Sequence, residues 1–347
     1  MQLPFSKKET SQLQEKLEEQ MLGLFEQVIK DRSKYFDENS DKVPTPESIS
    51  AIINSYANQN AVISGGAGMV PGPLGMLAIV PELVLIIRNQ LSMVYDIGYA
   101  YGYGKKMNSE ILISVFSYSL GAGALGLMAI HGQKILIKRA SLRLMQRIVR
   151  LMAGKISQRV LKSMVGKWVP VLGAVALATW SKFATHDIGK KAVLIFEKDI
   201  EFSDLVEDVA EGDISTSQDN ASTVDEADDP EVGKFDEIKV KALINLMIMD
   251  GELSHEEQKF IASIIENADL TSEDKLVYVG HLNSKKKFKI DLSVLKDSPD
   301  DVVGLLTDMI ALAKKDGDFH LTERLYIRQA AKNMSLEEED LKLIMSK

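Results

Sequence analysis

The chain has 347 residues, 41 Lys and Arg against 50 Asp and Glu, a formal net charge of −9 and no cysteine. That length suggests two or three domains, and the lack of cysteine excludes disulfide staples and thiolate metal sites and fits a reducing compartment. The acidic balance argues against nucleic-acid binding, yet it hides a steep asymmetry. From Ile111 through His186 there is no Asp or Glu, and Lys134 to Lys167 alone carries ten Lys and Arg. From Glu197 to Glu237 the sign inverts, with sixteen acids against Lys198 and Lys234.

The N-terminus is charged and amphipathic with no apolar signal region, so Sec-type export is not expected and a cytoplasmic location is. Ser6 and Glu9 have capping-box spacing, and Leu13, Leu17, Met21, Leu24 and Val28 recur at helical steps. Thr45 before Pro46 starts a second helix, expected to run to about Ile63. It meets the stretch "SGGAGMVPGPLGMLAIVPE", five glycines and three prolines in an apolar background, which reads as a tight bend between helices. A long helix follows Pro81 and is closed by Gly102 and Gly104. Residues 111–130 are uncharged and long enough to span a bilayer, although rich in serine and glycine. The next segment reads as a basic amphipathic helix or helix pair, with Lys134, Lys138, Arg143, Arg147 and Arg150 at helical steps. No run of alternating strands stands out, so this half reads as all-α. Gly68 and Gly72, four apart, suit close helix packing. A phosphate loop is excluded, because Gly98 to Gly104 is the wrong separation and Lys106 stands where Ser or Thr is needed.

Residues 203–234 are acidic and poor in aromatics, the composition of a flexible tether. Beyond them the chain repeats itself. At an offset of 66 residues, "DGELSHEEQKFIASIIENADLTSED" aligns with "DGDFHLTERLYIRQAAKNMSLEEED", each preceded by an apolar helix. Two readings of the turns stay open. Gly251 and Gly317 can serve as helix exits, with Ser254 to Glu257 a capping box and Glu323 in the equivalent place. Alternatively, Asp250, Glu252, Glu257, Asp316, Asp318 and Glu323 offer hard oxygen ligands to Ca²⁺ or Mg²⁺, with a spacing unlike an EF-hand.

"LINLMIMDGELSHEEQKFI" and "MIALAKKDGDFHLTERLYI" resemble the paired signatures of the TerB (tellurite-resistance) family over roughly residues 236–347. That resemblance implies a compact all-α domain and carries a divalent-metal role to the same six carboxylates. "GGAGMVPGPLGMLAIVPELVLIIRNQLSMVYDIGYAYGYG" is similar to the core signature of the EcsC family, with Glu82, Arg88 and a closing Tyr-Gly. "WVPVLGAVALATWSKFATHDIG" is also similar to the helical domain that follows some bacterial G domains, although no G domain is present here. The EcsC resemblance implies a bacterial, membrane-associated protein with no catalytic residues to carry over.

The expected organisation is an all-α chain in three parts: a glycine-rich EcsC-like helical bundle over 1–202, an acidic linker over 203–234 and a two-repeat TerB-like domain over 235–347. The expected function is a non-enzymatic adaptor or scaffold with two contacts. One is a membrane surface or membrane protein, reached through Lys134, Lys138, Arg143, Arg147, Arg150, Gly68 and Gly72. The other is a protein partner met by a metal-responsive TerB-like domain in a stress response. A peripheral place on the inner face of the cytoplasmic membrane fits this reading. Two alternatives compete: a metal-binding protein or metal-dependent enzyme centred on the acidic turns, and a soluble homo-oligomeric subunit of a larger assembly. The five scattered histidines give no support to hydrolytic chemistry.

Overall fold

A computed structural model describes residues 7–67, 79–121, 127–163, 170–207, 230–249, 255–268, 270–282, 286–296, 298–314, 319–336 and 338–345. The chain is mostly helical and divides into two compact units. Lys7–Val160 with Ser181–Thr223 form the N-terminal unit, and Val224–Lys347 make up the bulk of the other.

In the N-terminal unit, α1 (Lys7–Met21) buries Leu13, Leu17 and Met21, one turn apart each time. Helix α2 (Leu24–Glu38) buries Leu24, Phe25, Val28 and Phe36. Helix α3 (Ile49–Ala67) follows a short 3₁₀ turn at Pro46–Ser48 and continues past Ile63 through Gly65 and Gly66. The centre is α4 (Val80–Ala100), which packs against α1, α2 and α3 and buries an unbroken run from Gln90 to Gly98. Helix α5 (Ser109–Ser119) also packs on it, its first turn fixed by Asn108, whose Oδ1 accepts the Ile111 N–H at 2.9 Å.

The uncharged run 111–130 is therefore not one helix. Helix α5 ends at Ser119, residues 122–126 lie outside the described residues, and strand β1 (Met128–His131) begins a three-stranded sheet. β1 pairs antiparallel with β2 (Lys134–Ala140), and His131 faces Lys134 across a two-residue turn in which Gly132 has φ +60°. β2 pairs in parallel with β3 (Asp199–Glu207), Ile135 facing Ile200 and Ile137 facing Phe202. This sheet is a departure from the strand-free expectation within a mostly helical chain. Ile135 and Ile137 are buried whereas Lys134, Leu136 and Lys138 are not, so the run has a period of two rather than the helical period. Among the described residues, no helix is long and apolar enough to cross a membrane.

Helix α6 (Leu142–Ser163) follows β2 directly, and α7 (Pro170–Phe196) leads to β3. Buried polar side chains join α3, α4 and the Ser181–Phe196 part of α7. Asn60 Nδ2 and Gln90 Nε2 donate to Thr185 Oγ1 at 2.9 and 3.1 Å, and Asn89 Nδ2 donates to Asn60 Oδ1 at 2.9 Å. Ser64 Oγ lies 2.7 Å from Ser181 Oγ. Such partners fix how one helix slides along another, because any other register would leave buried polar atoms unpaired.

The acidic segment has regular structure at both ends: β3 reaches Glu207 and α8 (Pro230–Met247) begins at Pro230. Residues 208–229 of the expected linker lie outside the described residues. The C-terminal unit repeats a helix–turn–helix. α8 leads to α9 (His255–Asn267), and α11 (Pro299–Ala313) leads to α12 (Leu321–Asn333). The second helices start and end 66 residues apart, matching the sequence repeat at both ends. α8 and α11 pack together and supply the core through Leu243, Ile244, Met247, Leu306, Met309 and Ile310. Between the repeats lie α10 (Ser272–His281) and a 3₁₀ turn at Leu292–Leu295, and α13 (Glu338–Met345) closes the chain.

Candidate functional site

The two acidic turns precede α9 and α12. Asp250, Glu252, Asp316 and Asp318 lie outside the described residues, as do Gly68 and Gly72. Glu257 and Glu323 occupy equivalent places in the first turns of α9 and α12, and each is only 2% exposed. A carboxylate this buried must be satisfied by fixed donors. For Glu323 one donor is the His320 backbone N–H, 2.9 Å from Oε2, which is the reciprocal half of a capping box. One Glu323 oxygen is thus committed to holding the start of α12. Among the described residues, no group of three or more His, Asp or Glu converges on a point that could hold a metal ion.

In the same unit, the paired helices α8 and α11 are tied by a buried ion pair, Lys239 Nζ to Asp308 Oδ2 at 2.6 Å. Burial pulls the Lys239 ammonium down, but the adjacent Asp308 outweighs it and holds the group above its ordinary value. Sequence reasoning did not single out this pair, since the two residues stand on different helices, one in each half of the repeat.

The five basic positions separate into two elements. Lys134 and Lys138 lie on β2, not on a helix, so they do not continue the row of arginines. Lys134 bonds Glu201 on β3 at 2.6 Å, and Lys138 is half-buried. Arg143, Arg147 and Arg150 are all exposed on α6. Arg150 Nε reaches both carboxylate oxygens of Glu18 on α1, at 3.1 Å each. Arg143 and Arg147 point to solvent between the exposed Leu142 and Leu151.

A second buried charge cluster sits inside the N-terminal unit. Arg32 on α2 donates to both oxygens of Asp96 on α4, and Tyr56 on α3 donates to Asp96 Oδ2 at 2.9 Å. The Arg32 guanidinium also lies over the rings of Tyr35 and Phe36, 4.6 and 4.7 Å from their centroids. The sequence shows Asp96 only as an acid interrupting an apolar helix. An unmatched charge at such a position is the signal that a partner lies elsewhere in the chain.

No curated protein and no solved structure matches the chain. Residues 238–346 match the family model described as "Tellurite resistance protein TerB", and the C-terminal unit accordingly carries a TerB domain.

Proposed function

We propose that the chain is a non-enzymatic adaptor whose N-terminal unit meets an anionic membrane surface through α6 and whose TerB domain is offered to other proteins. The observation that carries this reading is the exposed face of α6. Leu142, Arg143, Gln146, Arg147, Arg150 and Leu151 are all exposed, and at the helical step they fall within half of the helix circumference. No acid of the helix itself interrupts them, since none occurs between Ile111 and His186. Glu18 of α1 reaches the edge of the band and pairs with Arg150, which leaves Arg143 and Arg147 as its centre. An arginine band edged by leucines suits a helix lying at headgroup level. Each cation near an anionic surface contributes about 1 kcal/mol, and the leucines reach the acyl boundary. The EcsC resemblance of the N-terminal half, with a bacterial stress-response role on the inner face of the cytoplasmic membrane, belongs to the same proposal. So does a divalent ion at the acidic turns.

Co-sedimentation with vesicles tests the reading. The full chain should pellet with phosphatidylglycerol vesicles, be released by high salt and lose binding in the Arg143→Glu/Arg147→Glu variant. Equal partition to phosphatidylcholine vesicles, or pelleting untouched by the double reversal, would overturn it.

A further inference from the structure

Helix α10 is inverted relative to an ordinary surface helix. Tyr278 is its one buried residue, whereas Leu276, Val277 and Val279 are 75%, 49% and 46% exposed. Leu276, Val279 and Gly280 share one side of the helix, and Val277 widens it. A Cβ placed on Gly280 would meet nothing within 4 Å, so this side is open. Three large apolar side chains facing water on so short a helix form the kind of patch that marks an interaction surface.

The chain lays a basic segment beside this helix. The Phe288 ring packs against Tyr278 and His281 of α10, with centroids 5.8 and 4.9 Å apart. Its backbone is clasped by Asn245 of α8: the Phe288 N–H donates to Oδ1 at 2.7 Å, and its carbonyl accepts from Nδ2 at 2.9 Å. Lys286, Lys287 and Lys289, around this fixed point, are exposed. The acids of α10, Glu273 and Asp274, lie in its first turn, at the other end of the helix, and Asp274 is bonded to Thr271 there.

We propose that α10 and the lysines at 286–289 form a docking surface for an acidic, amphipathic peptide segment of a partner protein. Its apolar side chains would cover Leu276 and Val279, and its carboxylates would meet Lys286, Lys287 and Lys289. Charge complementarity selects this occupant. The lysines are a local excess in a domain, residues 238–346, that holds twenty acids against fifteen Lys and Arg. A bilayer or a nucleic-acid duplex faces the net negative charge of the whole domain. A short peptide meets only what lies within a Debye length, about 8 Å at physiological salt. The apolar anchors supply burial, and the lysines supply steering and orientation. This deepens the adaptor reading by naming the partner's chemistry, and rests on it only in taking the TerB domain as a protein-binding module.

The test uses the full chain and a fluorescein-labelled peptide of four helical turns, with leucine at every third or fourth position and glutamate between. Fluorescence anisotropy should show binding that weakens about tenfold on raising salt. Lys287→Glu/Lys289→Glu and, separately, Leu276→Ser/Val279→Ser should each weaken it about tenfold with the melting temperature unchanged, since all four residues are exposed. Lys289→Gln, a milder change, should weaken it less and in the same direction. No binding, equal binding of a peptide with glutamine in place of glutamate, or indifference to the lysine changes would each overturn the proposal. Loss of vesicle pelleting in the lysine variants, with peptide binding intact, would assign the surface to lipid instead. The α6 variants keep peptide binding, so failure of the membrane reading stays distinguishable from failure of this one.

Discussion

Arg32 grips Asp96 through two hydrogen bonds of 2.7 Å each, Nε to Oδ1 and Nη2 to Oδ2, and so ties α2 to α4. Asp96 is nearly fully buried, and burial pushes its carboxyl up to about 6 against the pull of Arg32 and Tyr56. A carboxyl raised above its unfolded value of about 4 binds its proton more readily in the folded chain. Its contribution to stability is therefore present at low pH and lost as the pH rises from about 4 through about 6, on the order of 3 kcal/mol in all. The stability difference between the parent chain and Asp96→Asn should change across that window and level off above it. A difference that stays flat from pH 4 to 7 in urea unfolding would contradict this.

The Lys239–Asp308 pair should show the asymmetry of buried ion pairs. Asp308→Ala leaves a buried ammonium without its partner and should cost about 3–5 kcal/mol, whereas Lys239→Met with Asp308→Leu should cost little or stabilise. Chemical denaturation of both variants checks the contrast, and equal losses would contradict it.

Gly189 and Gly280 should respond in opposite directions to alanine. A Cβ on Gly189 would fall 2.8 Å from Ile53 Cγ1 where α7 crosses α3. The strain of about 1–3 kcal/mol should exceed the helix-propensity gain of about 1 kcal/mol. At Gly280 the space is open, and alanine should stabilise by about 0.5–1 kcal/mol. Melting temperatures read both signs.

Glu323→Ala removes the carboxylate that accepts the His320 N–H and should destabilise the TerB domain by about 1 kcal/mol, while Glu323→Gln, which keeps an acceptor, should cost less. Hydrogen exchange at the first turn of α12 reports the loss locally.

The repeated helices of the C-terminal unit were legible in the sequence, because a repeat is a long-range signal that needs no partner to be seen. Helices α10 and α13, which run on past the aligned segments, were not. The offset of 66 residues places α9 on α12 at both ends. The sheet was harder to see. Ile135 and Ile137 run on into Leu144 and Ile148 without a charge reversal, so strand and helix merged into one basic apolar run. Two local signals separate them: Gly132 at the hairpin turn, and Ser141, whose Oγ accepts the Leu144 N–H at 3.3 Å as the cap of α6. Arg32 and Asp96 stand 64 residues apart, and no spacing rule reaches that far. The reading of Glu323 as a cap has the His320 bond behind it, while most of the carboxylates proposed as metal ligands lie outside the described residues.

The parallel pairing of β2 with β3 sets an order of events during synthesis. β1 and β2 can close their hairpin as soon as both have left the ribosome. Lys134, however, pairs with Asp199 only after α6 and α7 have been made. Until then β2 presents an open strand edge whose buried isoleucines lack one neighbour, and an open apolar edge is a template for pairing with another chain. The N-terminal unit is consequently a late-closing one. Fragments that stop short of Asp199 should aggregate, whereas those that extend past Glu207 should not.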